Sequence, residues 1–282
     1  MAPTWTCTEV VVDGAALACW RMVGAAEAGT GKGQGGVPVV LAHGFSDDGL
    51  CWLPLADELA TRYDVVMPDA RGHGRSARVE RGAEIDAAAD LAGVIRALGM
   101  APAVVAGHSM GAMTASHLGA RFPELTRALI LEDPPWHPEM RARADGPLLR
   151  EESPLARWIR SLADMPIDEI VAQERKEHPG WPEPVLRRWC EAKKALDPAF
   201  LTVEDTGRMS WQRVVGAIEC PTLLITADPE LGGIVTPELA HEAAAANPQI
   251  RVVHVPGVGH HVRFAAYDAY RDAVMAFLED VA

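Results

Sequence analysis

Ser109 is the residue of this chain whose surroundings best suit a nucleophile. It lies within Gly107-His108-Ser109-Met110-Gly111, after a run of small and β-branched apolar residues and before a helix-forming stretch. A strand, a sharp turn and a helix in that order make up the nucleophile elbow, which lifts a serine hydroxyl clear of a sheet. Glycines flank the serine because the backbone approaches itself too closely there for a Cβ atom. The five-residue pattern is weak by itself, so the prediction depends on a base, an acid and an oxyanion hole elsewhere in the chain.

His260 is the candidate base. It follows the glycine-rich stretch 256–259, which comes directly after a predicted strand. Loops at the carboxyl edge of a parallel sheet are where catalytic groups gather. An imidazole that titrates near neutral pH can take the serine proton and return it to a leaving group. We expect the neighbouring His261 to be a surface histidine, because the glycines allow the loop to bring His260 back toward the elbow.

The loop after the first buried strand is the candidate oxyanion hole. Its sequence, Leu41-Ala-His43-Gly44-Phe45, follows the strand directly. Two backbone N–H groups must point to where negative charge develops, and we expect them to be those of Phe45 and Met110. Removal of one such donor typically costs about 3 kcal/mol of transition-state stabilisation. The polar turn at 69–76 is predicted to be structural and to brace these loops.

Strand and helix patterns alternate along most of the chain, which predicts a mostly parallel central sheet with helices on both faces. An Asp13-Gly14 hairpin opens the series. Predicted strands cover residues 6–12, 16–23, 37–42, 64–67, 103–106, 128–131, 222–226 and 251–255, and predicted helices cover 53–62, 85–98, 111–121, 237–246 and 264–278.

Residues 134–213 interrupt this alternation. The segment holds five of the eight tryptophans, several prolines and helical patterns, without a convincing strand. We therefore predict an α/β core made of residues 1–133 and 214–282, with a helical cap inserted at 134–213. Most of the tryptophans are expected to pack the cap. Trp136, the tryptophan nearest the sheet edge, is predicted to line an apolar substrate pocket.

Composition excludes several other classes of protein. A net charge of −13 argues against a nucleic-acid partner. The chain begins without the pattern of a signal peptide and has no apolar run long enough to span a membrane. Five scattered cysteines favour reduced thiols in the cytoplasm, and no metal-binding pattern is present. The Gly-x-Gly-x-x-Gly spacing at 31–36 precedes a strand instead of following one, so it does not predict a dinucleotide site.

Taken together, the motifs resemble those of α/β-hydrolase-fold serine hydrolases of the compact, capped bacterial kind, including esterases and lactonases. The matching pieces are His43-Gly44-Phe45, the 69–76 turn, Gly107–Gly111 and Gly257–His260, in the order found in that family. They cover almost the whole chain outside the cap. The resemblance implies a Ser-His-acid triad and no cofactor. It is much less specific for the substrate, because one fold hosts many chemistries.

The resemblance leaves three candidates for the triad acid. The family often carries the acid a few residues beyond the strand that follows the cap, and here that segment offers Asp228 and Glu230. Some relatives supply the acid from the end of the strand before the cap, where Asp133 lies. We rank Asp228 first, Asp133 close behind it and Glu230 third. Asp133 could equally be a structural carboxylate at the cap hinge.

The sequence therefore predicts a hydrolase that cleaves a hydrophobic carboxylic ester or lactone through an acyl-enzyme on Ser109. Amide hydrolysis, C–C hydrolysis and perhydrolysis on the same triad are alternatives. A non-catalytic ligand receptor on this fold is the alternative from another class. The expected partner is a small-molecule ester or lactone, with no nucleic acid and no membrane, and a homodimer stays open.

Overall fold

A computed structural model of the chain describes residues 4–22, 36–136 and 153–281. The strands are β1 (Trp5–Val12), β2 (Ala15–Met22), β3 (Pro38–Ala42), β4 (Asp64–Pro68), β5 (Glu84–Ile85), β6 (Ala103–His108), β7 (Thr126–Glu132), β8 (Glu204–Asp205), β9 (Thr222–Thr226) and β10 (Ile250–His254). The helices are α1 (Leu53–Leu59), α2 (Ala87–Ala97), α3 (Met110–Arg121), α4 (Pro154–Ser161), α5 (Ile167–Glu177), α6 (Glu183–Ala195), α7 (Trp211–Ala217), α8 (Pro237–Ala246), α9 (Val262–Ala265) and α10 (Tyr267–Val281). Most of the glycine-rich stretch at 31–36 lies outside the described residues.

Eight of these strands form one sheet in the order β1-β2-β4-β3-β6-β7-β9-β10. The β1–β2 hairpin joins β4 in antiparallel pairing, and the strands from β4 to β10 run parallel. The hairpin turns at Asp13 and Gly14, where both residues have positive φ, as a two-residue turn of this kind requires. The predicted fold class, a mostly parallel sheet with helices on both faces, is confirmed.

The sheet is buried on both faces, which explains its nearly continuous apolar strands. Side chains alternate between two core clusters: Val40 and Val105 face α2, α3, α7 and α8, whereas Val39 and Val104 face α1 and α10. Because the central strands run parallel, their carboxyl ends share one edge. The loops after β3, β6, β7, β9 and β10 therefore lie at that edge, where the sequence predicts the site.

The described residues between β7 and β9 are mainly helical, in α4, α5, α6 and α7. The strand β8 pairs in parallel with β5 and was not predicted from the sequence. Two-residue strands carry too little periodicity to be detected. The helix α7 begins at Trp211, inside the predicted insertion, and Val214 and Val215 pack in the core cluster of α2, α3 and α8. None of the helices in the described part of the chain is both long and apolar enough to cross a lipid bilayer.

Candidate active site

Ser109 occupies a sharp turn between β6 and α3. Its backbone has φ 51° and ψ −117°, a conformation that L-residues rarely adopt and that costs about 1–3 kcal/mol. A Cβ atom on Gly107 would lie 2.3 Å from the Gly111 carbonyl oxygen, and one on Gly111 would lie 2.1 Å from the Ala42 carbonyl oxygen. Both glycines are therefore required by close backbone packing. The Ser109 N–H donates to the Glu132 carbonyl at 3.0 Å, which ties the turn to the end of β7.

His260 is paired with Asp133. The His260 Nδ1 atom lies 2.6 Å from Asp133 Oδ2, and the carboxylate is fully buried. The N–H groups of Ile234 and Val235 also donate to this carboxylate, each at 2.9 Å. Asp133 has φ 43°, so the chain turns sharply directly after β7. The carboxylate fixes the orientation of the imidazole and leaves its Nε2 atom for another partner.

Asp228, the first-ranked acid, is not the partner of His260 in this structure. Its carboxylate bonds His254 Nε2 at 2.9 Å and the Gly257 N–H at 2.7 Å. Its own N–H donates to the Val258 carbonyl at 2.9 Å. The chain leaving β9 thus turns toward the loop after β10 and uses Asp228 to hold that loop. Glu230, ranked third, is solvent-exposed on the short turn after it.

The base loop also contacts the elbow through His108. The His108 Nε2–H donates to the His260 carbonyl at 3.1 Å, and the centroids of the two rings are 4.6 Å apart. Among the described residues, the Ser109 hydroxyl makes no hydrogen bond to the His260 ring. Catalytic contacts of this kind are often long without substrate and tighten when it binds. The structure therefore places the candidate base beside the elbow, with Asp133 bonded to it.

The candidate oxyanion donors lie at two loop positions. Met110 is the first residue of α3, where an N–H has no intrahelical acceptor. Phe45 lies in a tight turn closed by a bond from the Asp47 N–H to the Gly44 carbonyl at 3.1 Å. Within the described part of the chain, neither the Phe45 nor the Met110 N–H has an acceptor. Both groups are therefore available to a substrate oxygen.

Two histidines hold the oxyanion loop against the polar turn at 69–76. The Ala70 N–H donates to His43 Nε2 at 2.9 Å, and the Ser46 N–H donates to His73 Nε2 at 3.2 Å. The Nδ1 atom of each ring bonds a backbone carbonyl. Burial lowers the pKa of His73 to about 3. These bonds confirm the bracing role predicted for this turn, and neutral His73 takes part in it.

A buried ionic cluster, formed by Asp47, Glu132, Lys193 and Arg263, joins four parts of the site. Arg263 bonds Glu132 through its backbone N–H at 3.0 Å and through Nη1 at 3.2 Å, and its Nη2 bonds Asp47 at 2.9 Å. Lys193, on α6, bonds the other oxygen of Asp47 at 3.1 Å. All four residues are at most 4% exposed. Burial opposes ionisation of Asp47, but Lys193 and Arg263 outweigh it and hold its pKa well below the usual range.

Aromatic side chains from the part of the chain between β7 and β9 cover the base loop. His261 is not the surface histidine that the sequence analysis expects: its ring lies 5.1 Å from that of Trp181 and 5.7 Å from that of Trp189. It also stacks on Phe264 at 5.8 Å. The ring of His178 stacks on Trp181 at 4.0 Å. A cavity of about 540 Å³ lies beside these rings and beside His260.

Trp136, the predicted pocket residue, lies in the core instead. Its side chain is 2% exposed and stacks on Trp211 at 5.7 Å. It borders a void of about 20 Å³ whose lining includes neither Ser109 nor His260. An apolar aromatic residue near a sheet edge suits a core as well as a pocket, and a role of Trp136 in a substrate pocket stays a prediction. A second cavity, of about 50 Å³ and largely apolar, contacts Met110 and His43.

A model of the alpha/beta hydrolase family matches residues 39–274. The chain is 26% identical over 257 residues to the (E)-2-((N-methylformamido)methylene)succinate hydrolase of Acinetobacter baylyi, covering 86% of this chain and 91% of that protein. A thermophilic esterase from Thermogutta terrifontis superposes with a TM-score of 0.71 and 24% identity, over 98% of this chain and 99% of the other. An enol-lactonase from Burkholderia xenovorans superposes with a TM-score of 0.71 and 19% identity, over 96% of this chain and 100% of the other. These two structures resemble the chain in fold.

Proposed function

The chain belongs to the alpha/beta hydrolase family, and from that premise we propose that it is a serine hydrolase with Ser109, His260 and Asp133 as its triad. The observation that carries this proposal is the 2.6 Å bond between a buried, backbone-bonded Asp133 and the ring of His260. That bond lies beside a serine in the strained conformation of a nucleophile elbow. The proposed substrate is a carboxylic ester or lactone.

The proposed reaction proceeds in two halves. His260 takes the Ser109 proton through Nε2 while the serine oxygen attacks the carbonyl carbon. The N–H groups of Phe45 and Met110 stabilise the resulting oxyanion. The tetrahedral intermediate then expels the leaving group, which takes the proton from His260. Water, activated by His260, next hydrolyses the acyl-enzyme and releases the acid. Asp133 keeps the imidazole in the tautomer that these steps need and stabilises its charged form.

Amide hydrolysis is the second candidate, favoured by the relative from Acinetobacter baylyi, whose name describes a formamido-substituted succinate. An amide nitrogen must be protonated before it leaves, whereas an ester alcohol leaves more easily. Both reactions use the same proposed triad. The two candidates therefore differ in the rate of acylation, which matched ester and amide substrates can measure.

Two aspartates that each accept a bond from a histidine provide a matched test. We expect Asp133→Asn to lower kcat by about 10³–10⁴-fold, because the amide can leave the imidazole in the wrong tautomer. We expect Asp228→Asn to retain most of the activity, because Asp228 bonds His254 and the Gly257 N–H instead. The assay is p-nitrophenyl ester hydrolysis, with circular dichroism to check folding. Comparable modest losses in both variants would contradict a single-acid triad.

Labelling of Ser109 separates an enzyme from a ligand receptor. An organophosphonate should label wild type at Ser109 and leave Ser109→Ala unlabelled, and the same substitution should abolish ester turnover. Saturable ligand binding without labelling or turnover would favour a receptor instead. Turnover that persists in Ser109→Ala would overturn the mechanism.

A further inference from the structure

The cavity of about 540 Å³ borders the candidate base, His260. His260 must protonate the leaving atom, so the leaving group has to lie against this imidazole. His260 lines this cavity together with His261 and the glycine-rich loop before it, whereas Ser109 is not among the described lining residues. The cavity of about 50 Å³ contacts the oxyanion loop and Met110 instead. The larger cavity is therefore where an alcohol or amine would leave.

Imidazole and indole side chains line one wall of this cavity. The rings of His178 and Trp181 stack with centroids 4.0 Å apart and 16° between their planes, and both residues are half-buried. Trp181 meets His261 nearly edge to face at 5.1 Å. Burial lowers the pKa of His178 and of His261, so these two rings are neutral at pH 7. A planar ligand ring can stack on such a wall.

The charge of the described residues around this cavity disfavours an anion. Glu177 is exposed and supplies a carboxylate, and no lysine or arginine is among the described residues that line the cavity. The nearby buried cations Lys193 and Arg263 are bonded to carboxylates of the ionic cluster. Among the described residues, a carboxylate on the leaving group would therefore meet like charge and lose hydration without gaining a partner.

From this wall and this charge we infer that the leaving group of the substrate is an uncharged aromatic alcohol or amine that stacks on Trp181. The inference rests on the proposed function, since it assigns the leaving-group side from the role of His260. It departs from the dicarboxylate named for the relative in Acinetobacter baylyi.

Benzyl acetate and cyclohexylmethyl acetate test the stacking, because both leaving groups are unactivated primary alcohols of similar size and reach. We expect kcat/KM for benzyl acetate to exceed that for cyclohexylmethyl acetate by about 2- to 12-fold, the range of one aromatic pair. Trp181→Leu should bring this ratio close to one, and Trp181→Phe should keep most of it. Trp5→Leu, which alters a tryptophan on the edge strand β1, is the control that should leave the ratio unchanged.

Charge is tested with 4-(acetoxymethyl)benzoate, the anionic counterpart of benzyl acetate. At low ionic strength we expect wild type to prefer benzyl acetate, and Glu177→Lys to raise kcat/KM for the anionic ester about 3- to 5-fold, the scale of an exposed ion pair. Glu279→Lys, an exposed carboxylate on α10, is the matched control and should have no effect.

The outcomes separate this inference from the proposed function. A ratio near one in wild type, or a Trp181→Leu variant that slows both acetates equally, would overturn the stacking while Ser109-dependent hydrolysis stands. A preference for the anionic ester in wild type would overturn the assignment of an uncharged group. Hydrolysis of all three esters by Ser109→Ala would instead overturn the serine mechanism itself.

Discussion

Replacing Arg263 with methionine tests whether the buried ionic cluster stabilises the fold. The guanidinium is 3% exposed and bonds the buried carboxylates of Glu132 and Asp47. It also lies 4.5 Å from the ring of Trp52 and 4.1 Å from that of Phe264. Methionine fills similar space and retains apolar contact, but it leaves Glu132 without its cation and Asp47 with Lys193 alone. The change therefore isolates the loss of charge.

We expect Arg263→Met to lower the free energy of unfolding by about 3–5 kcal/mol, the usual cost of breaking a buried ion pair. For a chain of 282 residues, the entropy of unfolding near the midpoint is about 0.6 kcal/mol/K, so Tm should fall by roughly 5–8 °C. Urea unfolding followed by tryptophan fluorescence, with calorimetry for Tm, measures both quantities.

Arg271→Met is the matched control. Arg271 makes ion pairs with Asp268, Asp272 and Glu58, which are 83%, 70% and 44% exposed, so we expect a loss below about 1 kcal/mol. The double variant Arg263→Met/Glu132→Gln should be less destabilised than the sum of its singles, because it removes one stranded carboxylate along with the cation. If Arg263→Met costs no more than Arg271→Met, or if the double variant is additive, the reasoning about this cluster is refuted.

Two further predictions concern the elbow and the oxyanion loop. Gly111→Ala should prevent folding or lower the free energy of unfolding by at least about 3 kcal/mol, because its Cβ would lie 2.1 Å from the Ala42 carbonyl oxygen. Gly216→Ala in α7 is the control, because an added Cβ there meets no side chain or other segment within 4 Å. It should raise the free energy of unfolding by about 0.5–1 kcal/mol in the same urea titration. His73 has its folded pKa lowered to about 3, so the unfolded chain takes up a proton below pH 6.5 that the folded chain refuses. Stability should therefore fall as the pH drops from 6.5 toward 3, and His73→Gln should flatten that slope by up to about 1.4 kcal/mol per pH unit in unfolding titrations. An unchanged slope would show that His73 is not held neutral by burial in the folded protein.

Local steric requirements explain which parts of the fold and site the sequence can predict. The elbow was predictable because only glycine fits at positions 107 and 111, and that requirement is written within five residues. The parallel sheet was predictable because continuous apolar runs are buried on both faces. Each of these features depends on contacts that the local sequence specifies.

The choice between Asp133 and Asp228 needed the path of the chain. Both residues follow a strand at the same edge of the sheet, so position alone gives each a comparable claim. In the structure the chain turns at Asp133, whose carboxylate bonds His260, whereas Asp228 bonds His254. The bond between Asp47 and Lys193 spans 146 residues of sequence, and neither residue stands in a motif. Tertiary contacts of this kind have no local signal.

The buried histidines that hold backbone groups through both ring nitrogens have a consequence for chemical modification. His43, His73 and His117 each bond a backbone carbonyl through Nδ1 and accept a backbone N–H at Nε2. An acylating reagent such as diethyl pyrocarbonate needs a free ring nitrogen, so we expect these three imidazoles not to react with it while the protein is folded. Inactivation by the reagent, and protection from it by a bound ligand, would then report on histidines with an accessible nitrogen such as His260.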